Sequence, residues 1–312
     1  MLAYRSYVHR RREMCSYYDF TGREKTEASI VQTWAEFRQD LANHKFAYND
    51  LESALHTTFL HGFDDVFQNG HALLEKRIGD ILNDDNHVVR AAWIKPGESE
   101  PDYDRFMPKA KHIKEDNRFS PPKIEWLYLA FAPRGDLQPS GKSVAEECAL
   151  QECGASSGKH FALCDFKTNE KFANDLVIDL TIAKNTSFDE INALLEARTS
   201  QIEEEETRKA VIYCLKKRRL PVPNKERYIF PITDWAVHTY AKLLAEQIFL
   251  PVDSADKSVM YAPFQCMAQY ILSKGYSGIV YASTVYPAGN NIVLFDKTAA
   301  KHFGDIRHID IP

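Results

Sequence analysis

Four short patterns in the C-terminal two-thirds of the 312-residue chain carry side chains that could act together on one ligand. They lie at 103–106, 118–128, 143–148 and 261–295, and they supply arginine, tyrosine, glutamate and serine. An arginine binds phosphate oxygens through a planar, always charged fork, and a tyrosine offers a flat face to an aromatic base. A carboxylate stabilises the positive charge that develops on an anomeric carbon when its bond breaks. These residue types therefore suit an anionic nucleotide.

Taken singly, each of these residues also has an ordinary structural explanation. Arg105 and Arg118 could be surface residues, and Ser283 could cap a turn. Tyr128 lies in the apolar segment WLYLAFA, where a core position is the default. Composition and spacing alone therefore indicate only a soluble protein that mixes helices and strands.

The elements that must position these residues differ between the two ends of the chain. Residues 1–95 are predicted to be mainly helical, and the first clear helix carries Ile30, Trp34, Phe37 and Leu41 at spacings of three and four. A strand is predicted at 88–94. The Pro-, Gly- and acid-rich segment that begins at Lys95 then suggests a boundary. We expect a helical N-terminal region of unknown role at 1–95 and a second domain at 96–312.

The second domain alternates irregularly between the two kinds of element. Strands are predicted at 126–132, 160–166 and 175–180, and two more near the C-terminus. Helices are predicted at 142–153, 187–219, 235–250 and 261–274. This mixture favours an α+β fold over regular βαβ units. The chain contains no GxGxxG or GxxxxGK[ST] segment, so it lacks the usual signatures of dinucleotide folds and P-loop ATPases.

Charge and apolar composition narrow the class of protein further. The formal net charge of −5 makes a nucleic-acid partner an unlikely expectation. We expect no membrane association, because no apolar run reaches the roughly 20 residues that a membrane helix needs. The N-terminus lacks the apolar stretch of a secretory signal, so a cytoplasmic location is expected. The six cysteines are not spaced as metal ligands, and no metal site is expected.

Region 103–295 resembles the RES domain, a family named for its arginine, glutamate and serine. The matching pieces are Arg105-Phe106, Arg118-Phe-Ser-Pro-Pro, Leu127-Tyr-Leu-Ala, Ser143-Val-Ala-Glu-Glu-Cys and the block 261–295. That last block has a Tyr-x-Pro-x-Gln start, a Gly-x-x-Gly-Ile-x-Tyr-x-Ser core and an Asn-x-x-Leu-Phe end. The resemblance covers about two-thirds of the chain.

The resemblance implies an ADP-ribosyltransferase-like fold, with a mixed, split sheet around a nucleotide cleft. It also implies a bacterial toxin that degrades NAD⁺ by phosphorolysis or hydrolysis, in partnership with an antitoxin protein. NAD⁺ would then be the substrate, inorganic phosphate a candidate co-substrate, and no bound cofactor would be needed. The alternatives are a mono-ADP-ribosyltransferase that modifies a protein and a non-catalytic interaction protein. Oligomer formation stays open.

Residue by residue, the resemblance implies a binding set and a catalytic set. The binding set is Arg105, Phe106 and Tyr128, with Phe106 standing where the family commonly has a tyrosine. The catalytic set is Arg118, Glu147 and Ser283.

The glutamate assignment has a close alternative. Glu147 fits a Thr-Ala-x-x-Glu frame best, and its neighbour Glu146 is the alternative. The helical segment at about 187–219 is expected to be a surface insertion in this domain, with a lid or a contact surface as the other interpretations.

Overall fold

The helices of the protein lie on both sides of a long mixed sheet. The computed structural model describes residues 23–217, 225–248 and 257–311. Within these ranges the α-helices are α1 (Arg23–Ala42), α2 (Leu51–Leu55), α3 (Thr58–Gly70), α4 (Ile78–Ile81), α5 (Val144–Glu152), α6 (Phe188–Lys217), α7 (Ile229–Ile248) and α8 (Lys257–Ser273). Three parts of the predicted segments lie outside the described residues: 1–22, 218–219 and 249–250.

Eight strands of the described residues form one sheet. They are β1 (Glu75–Arg77), β2 (Asn86–Ile94), β3 (Leu127–Pro133), β4 (His160–Thr168), β5 (Leu176–Asp179), β6 (Gly278–Ala282), β7 (Asn290–Leu294) and β8 (Ala300–Asp310). Their order is β1-β5-β6-β7-β3-β2-β4-β8, with β5 and β6 parallel and every other neighbouring pair antiparallel. The predicted α+β class with a helical N-terminal region is therefore confirmed.

The N-terminal helices are part of the same core as the C-terminal helices. The apolar stripe predicted in the first helix is confirmed, because Ile30, Trp34, Phe37 and Leu41 are all buried. The Trp34 ring packs against Phe264 of α8 at 5.4 Å between ring centroids. Its indole nitrogen also donates a hydrogen bond of 3.0 Å to Gln247 of α7.

Strand β2 connects the two regions that the sequence separates at residue 95. It precedes that boundary, yet it lies in the middle of the sheet and pairs with both β3 and β4. The segment between β2 and β3, residues 95–126, is a long connection with only two short 3₁₀ turns. A connection of this length without regular structure is commonly functional. It forms the outer wall of the cavity described next.

Candidate functional site

A large cavity lies where the connection 95–126 passes over the sheet. Its volume is about 1070 Å³, large enough for a dinucleotide. The lining comes from β2, β3, the end of α5, β6 and β7 as well as from the connection. Its polar side chains include Arg90, Arg105, Tyr128, Glu152, Tyr281 and Asn291.

Arg90 gives this cavity a buried positive charge. It lies in β2, and its Nη1 atom is shielded from solvent and has no hydrogen-bond partner in the part of the chain that the structure describes. Burial lowers the pKa of the Arg90 guanidinium, but an arginine remains protonated at neutral pH. A buried donor left unpaired costs about 1–3 kcal/mol, so an anion at this position would remove a real penalty.

Glu152 is held in place by two donors from the neighbouring strands. The Ser283 hydroxyl donates to Glu152 Oε1 over 2.8 Å, and the Asn291 amide donates to the same oxygen over 2.6 Å. Ser283 and Asn291 are buried, whereas Glu152 is exposed to the cavity. Both donors use Oε1, which leaves Oε2 for a ligand. This arrangement fixes a carboxylate against the cavity without neutralising it.

The turn that contains Ser283 packs tightly against α5. Ser283 accepts a hydrogen bond of 3.0 Å from the Tyr286 backbone nitrogen. A Cβ atom at Gly289 would lie 2.6 Å from the Cys148 side chain, so only glycine fits there. Lys184 also donates a hydrogen bond of 3.2 Å to the Gly289 carbonyl. The position of Ser283 is therefore set by packing as well as by its own hydrogen bonds.

Helix α5 begins in a polar network that fixes it to the sheet. Ser143 caps the helix by accepting from the Glu146 backbone nitrogen, and Glu146 accepts in return from the Ser143 backbone nitrogen. His87 of β2 lies 2.7 Å from the Ser143 hydroxyl. Glu146 also pairs with Arg307 of β8. The start of α5 is thus tied to two strands, and Glu152 lies at its other end.

Asp165 completes this network on strand β4. It lies 3.1 Å from His87 and pairs with Arg307. Burial raises the pKa of the Asp165 carboxyl, but the hydrogen bond from His87 and the charge of Arg307 outweigh burial and hold the pKa below its ordinary value of 3.8. A carboxyl with a lowered pKa in the folded state stabilises the fold above its unfolded pKa.

We expect Asp165→Asn to lower the free energy of unfolding by about 1–3 kcal/mol at pH 7, because charged hydrogen bonds are lost. The wild-type carboxylate is protonated as pH falls through its folded pKa, below 3.8, so its contribution disappears there. The difference in unfolding free energy between wild type and Asp165→Asn should therefore decrease steadily from pH 5 to pH 3. Urea titrations at each pH measure it.

The matched control for this prediction is Asp305→Asn, which changes an exposed carboxylate on the neighbouring strand β8. It should shift the unfolding free energy by no more than about 0.5 kcal/mol at any pH. A gap between wild type and Asp165→Asn that stays constant down to pH 3 would contradict the role given to Asp165.

Two tyrosines form an aromatic part of the cavity wall. The Tyr128 hydroxyl lies 2.9 Å from the Ser120 hydroxyl, and burial raises the pKa of Tyr128. Burial likewise raises the pKa of Tyr281, whose ring packs edge-on against Phe119 at 4.9 Å. Both phenols therefore stay neutral near pH 7 and act as donors and flat apolar surfaces. Tyr128 is one of the lining residues of the cavity.

Of the two other expected binding residues, Arg105 lies at the cavity and Phe106 lies in the core. Arg105 lines the cavity and is held by Glu98 over 3.2 Å and by the Trp93 carbonyl over 3.2 Å. Phe106 is fully buried in the core and is not among the described lining residues. Its position beside Arg105 therefore fixes the 3₁₀ turn, and its ring does not face the cavity.

Among the expected catalytic residues, Ser283 lies behind the cavity wall and touches Glu152. Arg118 lies close by, with its guanidinium 5.6 Å from the Tyr261 ring centroid, but the described lining includes its neighbour Asn117 instead. Glu147 points elsewhere: it accepts from the Ser140 hydroxyl over 2.6 Å and lies 3.5 Å from the Lys142 ammonium. Glu146 belongs to the network at the start of α5. The structure brings neither glutamate to Ser283.

Sequence reasoning missed two residues that the structure brings together, Arg90 and Glu152. The signal for Arg90 was a single arginine within the apolar strand VVRAAWI, because a charged side chain there is seldom buried without a purpose. For Glu152, the segment Cys148-Ala-Leu-Gln-Glu152 repeats the x-Ala-x-x-Glu frame five residues further along the same helix.

Two further features concern ligands and membranes. Within ranges 23–217, 225–248 and 257–311, no group of three or more His, Cys, Asp or Glu side chains is arranged to hold a metal ion. In the same part of the chain, no helix has both the length and the apolar character needed to cross a membrane.

Fold and cavity together define a mixed α+β protein with an arginine- and glutamate-lined site of nucleotide size. Residues 187–312 match the RES domain, which confirms the resemblance seen in the sequence over this part of the chain. The match contains α6, Tyr281, Ser283 and Asn291. It begins after Arg90, Arg105, Tyr128 and Glu152, which the fold brings to the same site. No curated protein and no solved structure matches the chain.

Proposed function

We propose that the protein cleaves the bond between nicotinamide and ribose in NAD⁺, with inorganic phosphate or water as the acceptor. One observation carries the proposal: the Glu152 carboxylate, fixed by Ser283 and Asn291, shares a cavity with Arg90, whose buried Nη1 has no hydrogen-bond partner among the described residues. A fixed carboxylate suits a ribose that becomes cationic, and a buried guanidinium suits a pyrophosphate. The RES domain at 187–312 supports the same class of substrate.

The proposed reaction needs positioning and charge stabilisation more than acid–base chemistry. As the bond breaks, its electron pair moves onto the nicotinamide nitrogen, which becomes neutral, and positive charge develops on the ribose carbon. Glu152 Oε2 faces that carbon and its hydroxyls, while Ser283 and Asn291 hold Oε1. A phosphate or water oxygen then bonds to the carbon. When water attacks, its proton leaves to solvent.

In this proposal, two arginines bind the pyrophosphate of NAD⁺. Arg90 supplies the buried charge for the pyrophosphate, and Arg105 adds a second guanidinium at the cavity wall. Tyr128 and Tyr281 offer neutral aromatic surfaces to the nicotinamide ring. NAD⁺ is the substrate in this proposal, and no separate cofactor takes part.

The biological setting that we propose is a toxin in a toxin–antitoxin pair acting in the cytoplasm, where NAD⁺ is available. This part of the proposal rests on the RES domain. The partner would be an antitoxin protein that restrains the activity.

The test is purified protein incubated with NAD⁺, with and without inorganic phosphate, followed by mass detection of the products. ADP-ribose-1″-phosphate formed only with phosphate would identify a phosphorylase. ADP-ribose formed in both reactions would identify a hydrolase. Intact NAD⁺ in both reactions, together with no transfer of labelled ADP-ribose to protein in a lysate, would overturn the proposal.

A further inference from the structure

Trp93 is an exposed tryptophan at the edge of the cavity. Its side chain is 37% exposed, whereas Trp34, Trp126 and Trp235 are each less than 10% exposed. It lies two residues after Ala91 of β2, which lines the cavity, so the two side chains share one face of the strand. Its carbonyl accepts a hydrogen bond from Arg105, so the Trp93 backbone contacts a residue that lines the cavity.

The ammonium groups of two lysines lie near the Trp93 ring. Lys95 Nζ lies 5.8 Å and Lys159 Nζ lies 5.2 Å from the ring centroid. Lys95 also lines the cavity, and Lys159 donates to the Gly154 carbonyl over 2.9 Å. Neither ammonium forms a salt bridge with any described carboxylate. An aromatic face and two lysines without a salt bridge therefore lie together next to a site already lined by arginines.

We propose that Trp93, Lys95 and Lys159 form the subsite for the adenine base and the phosphate next to it, an inference that rests on the proposed function. A base stacks on an exposed indole because every base has a flat π-face. The flexible lysine side chains can move from the ring to the phosphate when the base enters. The nicotinamide ring of NAD⁺ is cationic and would be repelled by two ammoniums, so the neutral adenine end is the one that suits this surface.

The experiment measures the binding of ADP, which lacks nicotinamide, to the full-length chain by calorimetry. Wild type, Trp93→Ala and Trp93→Phe are compared, together with the Michaelis constant of each for NAD⁺. Phe230→Ala is the matched control, since Phe230 is another exposed aromatic residue and lies in α7, away from the cavity lining. Its affinity for ADP should equal that of wild type.

We expect Trp93→Ala to weaken ADP binding and raise the Michaelis constant for NAD⁺ by about tenfold each, because one base-stacking contact is lost. The turnover number should change little, and Trp93→Phe should recover most of the affinity. The inference is overturned if wild type does not bind ADP, or if Trp93→Ala binds it as tightly as wild type. ADP binding that depends on Trp93 without any NAD⁺ cleavage would support the subsite and reject the proposed reaction.

Discussion

Replacing Glu152 by glutamine should lower the turnover of NAD⁺ by about 10²- to 10³-fold, the usual cost of removing one preorganised electrostatic contact in an active site. The amide has nearly the same shape, so the contacts with Ser283 and Asn291 can persist while the negative charge is lost. The Michaelis constant should change much less than the turnover number, because the charge acts on the transition state. Steady-state kinetics with product detection by mass measures both.

The same helix supplies the matched control for this prediction. Glu147→Gln changes a carboxylate one and a half turns earlier in α5, where it contacts Ser140 and Lys142 outside the cavity lining. It should retain turnover within about twofold, since surface changes of this kind have small effects. Loss of activity in Glu147→Gln with full activity in Glu152→Gln would restore the assignment expected from the sequence.

Arg90→Met should weaken NAD⁺ binding and stabilise the protein at the same time. Loss of charged hydrogen bonds to phosphate is expected to raise the Michaelis constant by at least about tenfold. Methionine fills a similar volume without the unpaired buried charge, so the free energy of unfolding should rise by about 1–3 kcal/mol. Kinetics and urea titration on the same preparation measure the two effects.

Arg134→Gln is the control for Arg90→Met. Arg134 donates to backbone carbonyls of Asp84 and Asn86 at the surface, and it does not line the described cavity. Its removal should leave the Michaelis constant unchanged. If Arg90→Met destabilised the fold and left NAD⁺ binding intact, Arg90 would have to be a structural residue with an unrecognised partner.

Periodicity was a reliable guide to the elements of this fold. The segments predicted at 126–132, 160–166 and 175–180 are the strands β3, β4 and β5, and the segment at 142–153 is α5. These predictions succeed because the burial of each element shows in the spacing of its own apolar residues. Strand order is not a local property, so the central position of β2 could not be derived from its sequence.

The site was harder to predict for a geometrical reason. Glu147 and Glu152 lie in one helix five residues apart, which turns the second side chain by about 140° relative to the first at 3.6 residues per turn. The two glutamates therefore lie on different faces of α5, and of the two it is Glu152 that contacts Ser283. Ser283 itself was singled out because the block 261–295 has several fixed spacings that leave one register only.

Arg90 was missed because of the boundary expected at residue 95. The Pro- and Gly-rich segment after β2 has the composition of a linker, and no local signal shows that it returns over the sheet. The structure shows that this segment walls the cavity and that β2 contributes Arg90 to it. Its contribution depends on pairing between β2 and β3, whose facing residues are more than 40 positions apart in the chain.

Glu152 is the last residue of α5, so its carboxylate lies at the negative end of the helix macrodipole. The aligned peptide dipoles add to the charge of Glu152 and favour a cation there, while Arg90 and Arg105 favour an anion elsewhere in the same cavity. A dinucleotide with a cationic pyridinium ring and an anionic pyrophosphate carries the complementary pair of charges. If the protein binds NAD⁺ as proposed, this distribution of charge would favour one orientation of the dinucleotide, because the reversed orientation would place like charges together at both ends.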